Sequence, residues 1–170
     1  MTTAPDRKRI LWLSDHPLVP SGVGIQAKYV IESLLKTGQY SFTCLGGAIK
    51  HPDYTPQMVD PATFGDRNWM IHPVDGHGNK EMLRRFLAEE KPAALVLFTD
   101  PRFFYWVWEM EDEIRQVCPI VYWHVWDNDP VPEFNRPIYE ATDYIMSLSL
   151  KTYGILQGLG YPKERFSYVP

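Results

Sequence analysis

The sequence predicts an α/β domain built on a doubly wound parallel sheet, and three observations lead there. Short apolar runs, several of them stopped by Gly, Pro, Asp or Ser, alternate along the chain with segments of helical periodicity. The segments between the runs are long enough to serve as crossovers, which parallel neighbours need and hairpin turns cannot supply. The length, 170 residues, suits one domain with a hydrophobic core and is too short for two full enzyme domains.

The first predicted strand is Ile10-Leu11-Trp12-Leu13, stopped by Ser14-Asp15-His16-Pro17. A helix follows from Gly22, because Val23, Ala27, Val30, Ile31, Leu34 and Leu35 recur at helical spacing. Ser21 stands at its N-cap position and Gly38 just past its end. Residues 40–45 read as the second strand, with Gly46-Gly47 stopping it. Residues 51–68, rich in Pro, Asp and Thr, show no periodicity and read as an irregular segment. A third strand spans 69–72, and Asn79 caps a helix whose apolar face is Met82, Leu83, Phe86 and Leu87, ending before Pro92. The fourth strand is 94–98. Asp100-Pro101 then opens a helix with Phe103, Val107, Met110 and Ile114 on one face and the acids of 109–113 mostly on its wet side. The fifth strand, 120–123, leads into a loop at 124–131 and a short helix interrupted by Pro137. Residues 144–148 form the sixth strand, Ser149 caps the next helix, Gly160-Tyr161-Pro162 stops it, and 166–169 form a seventh strand. The chain stops on that strand with no closing helix, which reads as a cut from a longer polypeptide.

Composition narrows the function classes. Hydrophobic residues make up 45% and charged residues 22%, the proportions of a globular chain. A net charge of -4 with scattered Lys and Arg provides no broad cationic field, so nucleic acid is excluded as a partner. The one basic cluster, Arg7-Lys8-Arg9, reads as a solvated strand start. No apolar run approaches the ~20 residues that cross a bilayer and no signal-peptide pattern opens the chain, so a cytoplasmic location is expected. Cys44 and Cys118 lie far apart, in or beside strands, and read as buried reduced thiols. Six Trp and ten Tyr could fill a core or line a pocket for flat or sugar-like ligands, and composition does not choose.

Ligands of doubly wound sheets bind outside the carboxyl ends of the strands, which directs attention to three loops. At Ser21-Gly22-Val23-Gly24, unpaired backbone amides and the helix dipole suit an anion, and glycine permits close approach; equally, glycine there relieves helix–strand crowding. The string from Gly22 to Ala27 also fits a GxGxxA dinucleotide fingerprint, but residues 15–21 separate it from the strand and no acid ends the second strand. His124, at the end of the fifth strand, is placed to carry a proton or donate to developing charge. Asp100, after the fourth, is an N-cap and a potential hydroxyl acceptor. Asp127-Asn128-Asp129 could bind a divalent cation with substrate phosphates, although Asp-Asn-Asp-Pro is also strong turn chemistry. His72 and His77 have no ligand-like spacing, so no zinc site is inferred. No GxSxG, GxxxxGK or CxxC string occurs.

Taken in order, these segments resemble the N-terminal domain of GT-B glycosyltransferases, in particular retaining family 4. Residues 10–14 followed by Pro20-Ser21-Gly22-Val23-Gly24 look like its first strand and GGxG loop, with Ser21 in place of the first glycine. Residues 27–38 are similar to its LxxxLxxxGH helix, with Gln39 where histidine is common. Residues 92–100 resemble its "PDvvh" strand, Val121-Tyr122-Trp123-His124 its histidine-ended strand, 141–149 its "aDxiixxS" segment, and 166–170 the strand leading to "xxNGvD". The resemblance covers nearly the whole chain, although each piece is degenerate and only their order is specific. It implies a Rossmann-like, acceptor-side half of a GT-B enzyme that transfers sugar from a nucleotide-sugar to an unknown acceptor, with retention and with no required metal or other cofactor. In that family the glycine loop meets the donor diphosphate and sugar and the histidine contacts the sugar, which implies Ser21, Gly22, Val23, Gly24 and His124 here. Asp100, Asp127 and Ser149 become acceptor or sugar contacts. The nucleotide-binding C-terminal domain is a missing partner, the fragment alone is expected to be inactive, and peripheral membrane contact of the full enzyme is allowed for. The competing readings are a non-catalytic binding module, a metal-dependent transferase using Asp127 and Asp129, and a dinucleotide-dependent oxidoreductase domain.

Overall fold

The computed structural model describes residues 6–126 and 128–170. In chain order the elements are β1 (Lys8–Asp15), α1 (Gly22–Lys36), β2 (Tyr40–Gly47), β3 (Gln57–Met58), α2 (Pro61–Phe64), β4 (Trp69–Pro73), α3 (Lys80–Glu90) and β5 (Ala94–Phe98). After a 3-10 turn come α4 (Tyr105–Trp108), α5 (Glu111–Arg115), β6 (Ile120–His124), α6 (Arg136–Glu140), β7 (Tyr144–Ser147), α7 (Leu150–Gly158) and β8 (Phe166–Tyr168). The strands form one sheet in the order β3-β4-β2-β1-β5-β6-β7-β8, parallel throughout except for β3 at the edge. The predicted doubly wound α/β fold is therefore the observed one, and its winding reverses between β1 and β5.

Alternation along the strands sorts the core into two layers. Leu11, Leu13, Leu95, Leu97, Tyr122 and Ile145 face α3 to α7. Trp12, Phe42, Cys44, Trp69, Phe98 and Trp123 face the opposite way, where α1 contributes Ala27, Ile31 and Leu35. Most of the aromatic surplus is core: Trp12, Trp69 and Trp123 are each almost fully buried, and such burial stabilises by roughly 2–3 kcal/mol per side chain. Cys44 and Cys118 are free and buried, and burial raises their thiols to about 12 and about 11.

Two local readings change. Residues 51–68 are not wholly irregular: they hold β3, paired antiparallel with β4, and the single-turn α2 capped by Asp60. The helix expected after Asp100 is instead a 3-10 turn, α4 and α5, because the Met110 amide bonds back three residues to the Val107 carbonyl and breaks the register. Among the described residues, no helix is long and apolar enough to cross a membrane.

Candidate functional site

The register brings four polar residues to one level. Ser14 pairs with Phe98 and Phe98 with Trp123, so the next residues, Asp15, Thr99 and His124, end neighbouring strands side by side, and His124 pairs with Ser147. All four follow residues whose alternation turns them toward the α3-to-α7 layer.

Asp15 is the centre of this edge. Its Oδ2 accepts a hydrogen bond from Ser21 Oγ at 2.8 Å, while Oδ1 lies 3.4 Å from both Thr99 Oγ1 and His77 Nε2. Its side chain is 13% exposed and that of His77 7%, so both are largely withdrawn from bulk water yet reachable. Burial alone would raise the carboxyl pKa, but the bonds from His77, Ser21 and Thr99, with the charge of the imidazole, hold it below the ordinary range. The imidazole is in turn fixed by stacking on Phe103, with centroids 4.6 Å apart. Asp15, His77, Thr99 and Phe103, with Lys50 and Trp106, line a cleft of ≈ 770 Å³ at the point where the winding reverses.

Glycines make this arrangement possible. A Cβ on Gly47 would lie 1.9 Å from the Gly76 carbonyl oxygen, which accepts from the Ala48 amide at 2.7 Å. That crossing lets the 76–78 loop pass over the end of β2 and place His77 on Asp15. Gly76 and Gly78, on either side of His77, both have positive φ, the left-handed conformation that glycine adopts at least cost.

The residues singled out in the sequence are dispersed around this cleft. Ser21 caps α1 by accepting from the Gly24 amide at 2.9 Å while donating to Asp15. Gly24 packs tightly, since a Cβ there would lie 2.7 Å from the His16 carbonyl, whereas Gly22 has nothing within 4 Å. Gly22 and Val23 line a second, apolar hollow of ≈ 470 Å³ with Phe98, Val125 and Leu148. Among the described residues their amides have no partner, as expected at the first turn of a helix. His124 does not face either opening. It is fully buried, its Nε2 lies 2.8 Å from Tyr139 Oη, and burial pushes its pKa down to about 3. Asp100 caps the 3-10 turn and holds the Arg102 guanidinium, which keeps its carboxyl below the ordinary range against burial. Ser149 caps α7 in a reciprocal box with Thr152. Asp127 lies outside the described residues, and Asp129 is paired with Lys151. Among the described residues no group of three or more His, Cys, Asp or Glu is placed to hold a metal ion.

Sequence reasoning missed Asp15, His77 and Thr99. One signal was available: Asp15 stands at the carboxyl end of β1, the kind of position that selected His124. Compared with protein-family models and with curated proteins, the chain matches none.

Proposed function

We propose that this chain is the acceptor-side half of a cytoplasmic GT-B glycosyltransferase that moves a sugar, with retention, from a nucleotide-sugar to an acceptor hydroxyl. The observation that carries the reading is the double role of Ser21, which caps α1 and donates to Asp15. Through it, one residue joins a helix head suited to phosphate to a carboxylate suited to hydroxyl groups. Gly22 and Val23 would meet the donor diphosphate with their amides and the helix dipole. Asp15 and Thr99 would orient hydroxyl groups in the larger cleft, where Trp106 and the edge of Phe103 offer apolar surface to a sugar ring. The nucleotide would be held by a second domain across these openings. The reading routes no step through a metal, and it leaves His124 as a buried support of the strand end unless α6 moves.

The test is nucleoside diphosphate release from a panel of UDP-, GDP- and ADP-sugars by the full gene product and by the 170-residue chain. Release by the full product alone, reduced at least tenfold by Asp15→Asn, is the expected result. Turnover by the 170-residue chain alone, or no binding of any donor by the full product, would overturn the proposal and favour a binding module.

A further inference from the structure

A second cleft, ≈ 480 Å³, lies between α3 and the β3–β4 edge, away from the openings described above. Arginines from three separate parts of the chain converge on it: Arg9 from β1, Arg67 from the turn before β4, and Arg85 from α3. They do not play the same part. Arg9 is a strut: its Nη1 donates to the Arg67 carbonyl at 2.9 Å and its Nε lies 3.5 Å from Glu90. Arg67, whose carbonyl takes that bond, has a left-handed backbone, φ 59°, uncommon for a residue with a side chain. Arg67 and Arg85 are themselves exposed, and among the described residues neither guanidinium has a hydrogen-bond partner; Arg85 rests over the Phe86 ring at 5.2 Å. His72 forms the floor, its ring 4.7 Å from that of Phe86. Met58 and Met70 supply an apolar wall.

The chain as a whole carries a net charge of -4, whereas this cleft, with Arg9, Arg67 and Arg85 against Glu89 and Glu90, holds a small excess of positive charge. Guanidinium groups match the oxygens of phosphate in paired, charge-assisted hydrogen bonds, and the volume falls within the range of small-molecule sites. The geometry points to a binding site for a small phosphate-bearing molecule, its phosphate between Arg67, Arg85 and His72 and its less polar part against Met58 and Met70. Glu89, on the same rim, sets a limit of selectivity, because it repels a ligand of larger negative charge that extends toward α3.

The probes are inorganic phosphate, glycerol phosphate and citrate, titrated into the 170-residue chain at constant ionic strength and followed by two-dimensional NMR. Saturable shifts at His72 and the Arg67 and Arg85 side chains are expected with both phosphates, with glycerol phosphate the tighter. The His72 pKa, which burial holds below its ordinary value, should move upward on binding. Arg67→Ala and Arg85→Ala should each weaken binding about tenfold or more, while Arg84→Ala, on the same helix but outside the cleft, should not. Shifts that grow linearly without saturation, equal binding of citrate, or affinity unchanged in both variants would overturn the assignment. Phosphate binding at the head of α1 would instead move the Gly22 and Val23 amides, so this site and the proposed donor site are read separately.

Discussion

Replacing Gly47 with alanine attacks the backbone contact that carries His77 to Asp15. The new Cβ would stand 1.9 Å from the Gly76 carbonyl oxygen, so β2 and the 76–78 loop must separate by ~1.5 Å to restore ordinary contact. Neither partner is a flexible side chain. Gly47 is buried in a strand paired with β1, and the Gly76 oxygen is tied to the Ala48 amide. Overpacking of this kind costs about 1–3 kcal/mol, and weakening the Ala48 bond adds about 1 kcal/mol. The sum, about 2–4 kcal/mol, corresponds to a fall in Tm of about 4–16 °C for a domain of this size. Because the loop carries His77, its displacement should also relax the hold on Asp15, letting that carboxyl pKa climb. Gly22→Ala is the control: a Cβ there meets nothing within 4 Å, so its Tm should stay within about 4 °C of the parent or rise. Thermal melts of the two variants, with the Asp15 carboxyl followed by NMR, read both effects. A Gly47→Ala protein that melts with the parent and keeps the low Asp15 pKa would refute the reasoning.

Asp15→Asn should destabilise the fold by about 1–3 kcal/mol at neutral pH, measured by urea unfolding. The parent's carboxyl pKa is lowered in the folded state, so its contribution is present above the unfolded value of ~3.9 and lost as pH falls through the folded value; the variant should lack that acid-range dependence. His124, buried neutral with its pKa pushed down to about 3, favours folding fully above its unfolded value of ~6.5 and progressively less as pH falls toward 3. His124→Gln should flatten the decline in stability between pH 6 and 4, leaving the smaller share due to His16 and His72, whose pKa values burial also lowers. Tyr139→Phe should cost about 1–3 kcal/mol in the same assay, since the lost hydroxyl bonds His124 and Asn135 in a buried setting, and an unchanged midpoint would deny that network a structural role.

The sequence is most legible where one segment's chemistry decides its structure. Ser21 and Asn79 cap the helices they precede, and seven apolar runs lie within or over the parallel strands. β3 left no trace because two residues have no period to detect. Asp15 was hidden because its stretch was read as the loop that stops the strand, whereas β1 runs two residues further, through Ser14 and Asp15. The Gly46-Gly47 pair was read as a stop signal as well. Its work is clearance: Gly46 makes room for the His16 ring and Gly47 for the Gly76 backbone. The link from Asp15 to His77 spans 62 positions and rests on that backbone crossing, which no local pattern announces.

Asp15 and His124 end strands of the same sheet at the same level, and the winding places them in different environments. From β5 onward the chain moves one strand at a time in one direction, with α4 to α7 packed in succession on the same face. A residue at the end of β6 therefore lies beneath the next crossover, and Tyr139 of α6 closes over His124. β1 lies where the direction reverses: α1 leaves it on one face, and the chain returns on its other side as β5. The crossover on the opposite face, from β4 through α3 to β5, begins in the 76–78 loop and lays His77 beside Asp15, leaving Asp15 and Thr99 on the wall of the cleft. A carboxyl-end position does not by itself leave a polar group reachable. In this sheet the reversal point is what separates the reachable polar group from the buried one.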